Sequence, residues 1–177
     1  MAYQYKMKLT PGQKAILEGS EGPVKAKVME TIVRYGDMFE ASRLVKVTHG
    51  KGHLVTSFGL SLLKPVYRTM DELIEAGLKV EDGFTVDPGP YDFDNTPCTL
   101  LDKLLLKTVL YGKQGAYEEQ LRKLGLVSKD AFSCACYFDE IGNIPKKGDI
   151  LSWAESSAVN YANSVLGARC NRNSGMI

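Results

Sequence analysis

Between Ser133 and Gly175 the chain concentrates side chains that can do chemistry. Thiols stand at Cys134, Cys136 and Cys170, a carboxylate at Glu155, and hydroxyls at Ser152, Ser156, Ser157 and Ser164. Amides follow at Asn160, Asn163, Asn171 and Asn173, and guanidiniums at Arg169 and Arg172. An ordinary core would place Leu and Val here, so the composition is that of a lined cavity. Cys134 and Cys136 are two apart, which on a strand points both thiols to one face. The spacing matches neither a CxxC pair nor a zinc quartet. Two readings stay open: small buried core residues, which free cysteine usually is, or iron–sulfur ligands, because clusters gather thiolates from distant parts of a chain. Spacing alone favours the first.

Ser152-x-x-Glu155 has the form of a capping box, and a carboxylate in a first helical turn suits the helix dipole. Ser156 and Ser157 would then sit near an amide-rich helix N-terminus, where a carboxylate or phosphate binds. Ser156, Asn160, Asn163 and Ser164 share polar faces at helical spacing. Arg169 and Arg172 could clamp an acidic substrate or cap helix carbonyls. The only two histidines, His49 and His53, lie in Thr48-His49-Gly50-Lys51-Gly52-His53, a glycine-rich turn expected after a strand. Gly50 and Gly52 would let backbone amides approach an anion. The turn lacks the third glycine of a dinucleotide fingerprint and the Lys-Ser/Thr of a P-loop, so nucleotide binding is not supported. A substrate loop and a surface turn with solvated histidines fit it equally. The residues alone reach an anionic small-molecule site, with or without a metal, and no reaction.

The elements that must hold these groups read as follows. Thr10-Pro11-Gly12-Gln13 starts a short helix that stops near Gly19. A second helix follows Pro23, with Val24, Val28, Ile32 and Val33 as its apolar side, and ends at Gly36. Leu44–Val47 is expected as a strand. Pro65 starts a helix whose buried stripe is Val66, Met70, Leu73 and Ile74, stopped by Gly77. Phe84–Asp87 is a second strand, followed by a loop from Pro88 to Pro97. Leu100–Tyr111 is expected as a well-buried helix, and Tyr117–Leu124 as another, ended by Gly125. Past a strand at Cys134 and a polar connection, Gly142–Gly148, Ser152 caps the last helix, which closes at Gly167. This alternation argues for an α/β domain over a bundle or a sandwich.

The chain has 177 residues, enough for one domain with a real core. Its 22 Lys and Arg nearly cancel its 21 Asp and Glu, so no global field draws it to nucleic acid or a membrane surface. The opening residues lack the apolar run of a signal peptide, and no stretch reaches the length of a membrane span. The four cysteines are then expected as reduced thiols or metal ligands, in a soluble cytoplasmic domain. The final Asn173-Ser174-Gly175-Met176-Ile177 is an apolar run just beginning, from which more protein is expected to follow.

Asp149–Arg172 closely resembles the signature block of the aconitase X family. Ser133-Cys134-Ala135-Cys136-Tyr137 looks like that family's thiol-bearing strand, and Leu9-Thr10-Pro11 with Glu18-Gly19 resembles its opening. The likeness runs from the N-terminus to Ile177. The family belongs to the aconitase superfamily, whose aconitase X members dehydrate small hydroxy acids: phosphomevalonate in archaea, 3-hydroxyproline in bacteria. The resemblance implies a three-layer α/β/α domain of aconitase-like type, incomplete here, holding an iron–sulfur cluster or an iron ion through three cysteines. Iron would act as Lewis acid on the departing hydroxyl, and a serine of a separate small domain or subunit would take the α-proton. By the same resemblance Cys134 matches the first cluster thiol, with Cys136 standing where many relatives have proline. Glu155, Ser156, Ser157, Asn163, Ser164, Arg169 and Asn171 fall in the block that lines the substrate pocket, and His53 corresponds to the family's loop histidine. The family's other two cluster cysteines and its small domain lie beyond this chain. Residues 1–177 are therefore expected to be the N-terminal portion of a hydro-lyase large domain, inactive alone. The alternatives are a non-catalytic anion-binding module without a cluster, or a small metalloprotein using its own four cysteines.

Overall fold

The computed structural model describes residues 3–55, 59–87, 91–127, 139–154, 162 and 165–170. The chain forms two compact units, one built from residues up to Lys46 with Glu75–Leu78, the other from Val47–Ile74 and from Lys79 onward. No described helix is long and apolar enough to cross a membrane.

In the first unit, α1 (Pro11–Leu17) begins as its sequence dictates. Thr10 Oγ1 accepts from Gln13 N–H, and the Gln13 side chain accepts from Thr10 N–H. α2 (Pro23–Met38) runs two residues past Gly36. That glycine is a packing position rather than a stop: a Cβ there would collide with the end of the buried Met7 side chain. Of the expected apolar side only Val33 is buried, while Ile32 is exposed. Asp37, near the end of α2, fastens the N-terminal segment. Its carboxylate accepts hydrogen bonds from Lys6 N, Met7 N and Tyr3 Oη, each at 2.9 Å.

The second unit is built on parallel strands. β1 (Gly52–Val55) pairs with β2 (Phe84–Asp87) in the register Gly52↔Phe84 to Val55↔Asp87. A parallel pair needs a crossover, and α3 (Lys64–Glu75) supplies it. Beyond β2 the chain forms α4 (Leu100–Leu105), a π-helical turn over Leu106–Leu110, and α5 (Gln114–Leu124). Gly125 takes the left-handed conformation that ends α5 (φ 117°), and Leu126 then pairs in parallel with Phe84. On the other side of β1, Trp153 pairs with His53, just after β3 (Ile150–Leu151), which itself pairs with β4 (Arg169–Cys170). Phe84 and Val86 point to one face of the sheet, with Leu54 beside them. There they pack with Met70 of α3, with Tyr117 and Leu121 of α5, and with Leu126. Burial pushes the Tyr117 phenol pKa up, with Tyr67 adding to it.

Three expectations fail here. Leu44–Val47 forms no strand; Val45 and Val47 are exposed, and the strand starts at Gly52, inside the expected turn. Val has strand propensity, but a strand exists only where neighbours complete its ladder. Leu100–Tyr111 is helical as expected, yet it is not buried: Leu100, Leu101, Leu104 and Leu105 are 87, 73, 61 and 57% exposed. The helix forms for local reasons, since Thr99 and Asp102 cap it reciprocally. Along α3 the stripe is also narrower than expected, with Met70 buried and Val66 exposed.

Two measurements test this description. Leu101 has no core to leave, so Leu101→Glu should change the unfolding free energy of this chain by no more than about 0.5 kcal/mol. It should also reduce binding of a hydrophobic dye; a loss of several kcal/mol would mean that α4 is packed. Asp37 gives a pH dependence. The Lys6 N–H foremost holds its carboxyl below the ordinary 3.8; desolvation, the next largest effect, opposes it, and the Tyr3 and Met7 donors add to the lowering. Its contribution is therefore present above 3.8 and lost as pH falls through the lowered folded value. Amide shifts of Lys6 and Met7 should report that loss, and in Asp37→Asn the acid transition should be absent.

Candidate active site

Parallel partners in register carry their side chains on the same face. His53 of β1 has Thr85 of β2 as its partner on one side and Trp153 on the other. These three stand together on the face opposite the apolar core. His53 Nδ1 lies 2.7 Å from Thr85 Oγ1, and Asn143 Nδ2 donates to the same hydroxyl at 3.5 Å. His53, Thr85 and Asn143 are each fully buried. A buried polar group is costly unless paired, so the three are held as a unit. Thr85 Oγ1 accepts from Asn143 Nδ2, and its hydroxyl can either donate to His53 Nδ1 or accept from it, according to the histidine tautomer. The Trp153 ring, also fully buried, lies 5.5 Å from the His53 ring, and its Nε1 donates to Lys51 O at 3.2 Å.

The backbone fixes the same region. His53 N donates to Ser152 O at 3.0 Å, and Ala154 N donates to His53 O at 2.8 Å. Ser152 and Trp153 are therefore extended and belong to the sheet, not to the start of a helix as expected. The Ser-x-x-Glu signal is local, and pairing with β1 overrides it. The far end of that helix agrees with expectation, since helical backbone at 165–166 ends at Gly167 with φ 88°.

His53 thus sits within a central strand rather than on a loop. Of the two glycines before it, Gly52 has its amide engaged within the sheet. Gly52 N donates to Gly83 O, and Gly52 lies close under Ser152 O, where strands approach. His49 is separate from His53. Its Nδ1 is 3.3 Å from Asp149 Oδ2, which also accepts from Lys146 N, while Thr48 N and His49 N donate to Ile150 O. This clamps the segment before β1 to the one before β3. At the opposite, carboxyl ends of the strands, β2 closes on Asp87, two residues past Thr85 on the same face. Asp87 Oδ1 is buried and has no hydrogen-bond partner among the described residues.

Arg169 opens β4, so it is held in a parallel pair rather than in the loop expected after the helix. Glu155, Ser156, Ser157, Asn163, Ser164, Asn171 and Cys134 lie outside the described residues, and so does the expected meeting of Cys134 with the helix after Ser152. Among the described residues no group of three or more His, Cys, Asp or Glu side chains is placed to hold a metal ion. Cys98 is a free, partly buried thiol. The described residues therefore do not themselves supply a cluster's ligands. Thr85, Asn143, Trp153 and Asp87 were not anticipated as site residues. The alternation Phe84-Thr85-Val86-Asp87 carried a signal, since its polar members had to share one face; nothing in the sequence marked Asn143.

A parallel α/β unit with a buried polar face, ending on a block of small polar residues, is the class to which this chain conforms. Residues 6–177 match the family described as the aconitase X first domain. The chain belongs to the aconitase X family. It is 33% identical over 175 residues to the phosphomevalonate dehydratase large subunit of Aeropyrum pernix, a match covering 96% of this chain and 41% of that one. It is 31% identical over 165 residues to the cis-3-hydroxy-L-proline dehydratase of Hypocrea jecorina, covering 88% and 24%. The crystal structure of Thermococcus kodakaraensis aconitase X in its holo form superposes with a TM-score of 0.69 at 31% identity, covering 96% of this chain and 39% of that one. The chain thus spans about two fifths of the length of the phosphomevalonate dehydratase large subunits it matches.

The polar unit makes a stability prediction. Thr85→Val keeps the volume but leaves His53 Nδ1 without this partner, and should cost about 1–3 kcal/mol. Thr85→Ser should retain most of the stability. Urea unfolding followed by the fluorescence of Trp153, the single tryptophan, reads both; equal values for the two variants would remove the hydroxyl from the account.

Proposed function

We propose that this chain is the N-terminal portion of the large subunit of a hydro-lyase, which removes water from a small hydroxy acid of the phosphomevalonate or 3-hydroxyproline kind. The observation that carries the reading is the match to the aconitase X first domain over residues 6–177. The relatives it resembles are dehydratases by name. The buried His53 face supports the reading structurally, because it anchors the first residues of the Asp149–Arg172 block in the sheet.

In this reading Glu155, Ser156, Ser157, Asn163, Ser164, Arg169 and Asn171 line the substrate pocket. Arg169 suits the carboxylate or phosphate of an acidic substrate. His53 is a positioning residue: fully buried and bonded to Thr85, it orients the Trp153 segment that leads into the block. Cys134 contributes a thiolate to an iron–sulfur cluster or iron, with the remaining ligands supplied from outside this chain. Such a group, when bound, would weaken the C–O bond of the departing hydroxyl as a Lewis acid. The proton acceptor is a serine of a small partner subunit, so residues 1–177 alone should be inactive.

The test is to assemble the full-length large subunit with its small subunit, reconstitute anaerobically with iron and sulfide, and follow water loss together with iron content and visible absorbance. Cys134→Ala should abolish cluster loading, whereas Cys170→Ala should leave it largely intact. Equal loading by wild type and Cys134→Ala would overturn the ligand assignment. An assembled wild type that dehydrates neither substrate kind would overturn the hydro-lyase reading.

A further inference from the structure

The helix from Leu100 is turned inside out. α4 and the π-helical turn after it expose Leu100, Leu101, Leu104, Leu105, Val109 and Leu110, while Lys103 and Leu106, three apart and so on one side, are half-buried. A surface helix ordinarily turns its apolar stripe to the core and its charges to water. Here the arrangement is fixed at both ends. Thr99 and Asp102 hold the start through reciprocal capping bonds. Past the end, Lys113 N donates to Gly59 O at 3.0 Å and Gly59 N donates to Gln114 Oε1 at 2.8 Å. The Lys107 ammonium lies 5.1 Å from the centre of the Phe93 ring, which itself packs against Tyr91 and Tyr111. The leucines are thus held outward.

A contiguous aliphatic face with no charged side chain in it marks a contact. Its composition also says which kind. Interface cores are depleted of charge, and the most apolar ones are permanent, resembling a domain core cut in two. A face left open until a separate subunit or a second copy arrives from solution would expose its leucines meanwhile, which is an aggregation hazard. A face covered by the same polypeptide closes as the chain folds. There is chain enough to cover it. Residues 6–177 match a first domain, and this chain spans 41% of the Aeropyrum pernix large subunit, so roughly three fifths of such a subunit lies outside it.

We propose that the leucine face of α4 is a docking surface within the large subunit, covered in the intact chain by an apolar, uncharged surface of the part that follows the first domain. The inference rests on the reading of residues 1–177 as the N-terminal portion of a large subunit and goes beyond it, by naming the surface on which the remainder packs.

Site-specific photo-crosslinking in the assembled full-length enzyme identifies the occupant. Leu104 is replaced by the photoreactive amino acid benzoylphenylalanine, isotopically light and heavy large subunits are mixed, and the crosslinked peptides are read by mass spectrometry. The expected product joins position 104 to a residue beyond 177 of the same chain. A crosslink to the small subunit, to a second copy or to another segment of residues 1–177, or no crosslink, overturns the proposal. Leu101 takes the label if the first replacement does not fold. A second measurement needs no label: Leu101→Glu, nearly neutral in this chain, should lower the melting temperature of the full-length large subunit without its small subunit by several degrees. An unchanged melting temperature overturns the proposal. The expected crosslink in an enzyme that dehydrates neither substrate kind would leave this inference standing and overturn the hydro-lyase reading instead.

Discussion

The position of β1 between two parallel neighbours is the constraint on which the second unit depends. Its backbone bonds to the Ser152–Ala154 segment on one side and pairs with β2 on the other, while His53 contacts Thr85 through its side chain. Strand side chains alternate, so this register also sorts residues between faces. Phe84, Val86 and Leu54 meet α3 and α5, and His53, Thr85 and Trp153 meet on the opposite face. A slip of one residue in β2 would send Thr85 and Asp87 into the apolar core and Phe84 and Val86 out of it. The cost on both faces at once is what fixes the alignment.

The two faces are stabilised by different physics. The apolar face is held by area removed from water, which is non-directional and tolerant of repacking. On the other face Trp153 packs with Leu151 and Ala168, while His53, Thr85 and Asn143 are held by pairing, which is directional and intolerant of a missing partner. Such a face is poor at adding stability and good at fixing positions. That property accounts for a histidine, a threonine and an asparagine in places that aliphatic residues could fill.

The helix from Leu100 shows the converse. A helix apolar on most sides is ordinarily a buried one, yet here it is held at its start by the Thr99–Asp102 cap and leaves its leucines at the surface. Contiguous apolar surface of this kind marks an interaction site more often than an accident. Local capping and hydrophobic pattern decide that a helix forms; they do not decide what it packs against.

The sequence alone determined the pieces whose causes are local: the Thr10 capping box, the α5 stop at Gly125, the strand Phe84–Asp87, and the α/β class that follows from their alternation. It also carried the family, because the Asp149–Arg172 block is specific as a string of residues. What only the tertiary structure decided was pairing. It moved the first strand of the sheet from Leu44–Val47 to Gly52–Val55, took His53 out of a loop and into the sheet, and hydrogen-bonded Ser152 O to His53 N beside that strand instead of leaving Ser152 as a helix cap. It also brought Thr85 and Asn143 to His53 across 32 and 90 positions of sequence. The reason is that a strand is completed by hydrogen bonds to residues far along the chain, whereas a helix turn is completed within four. Propensity and spacing therefore report the second kind of bond and are blind to the first.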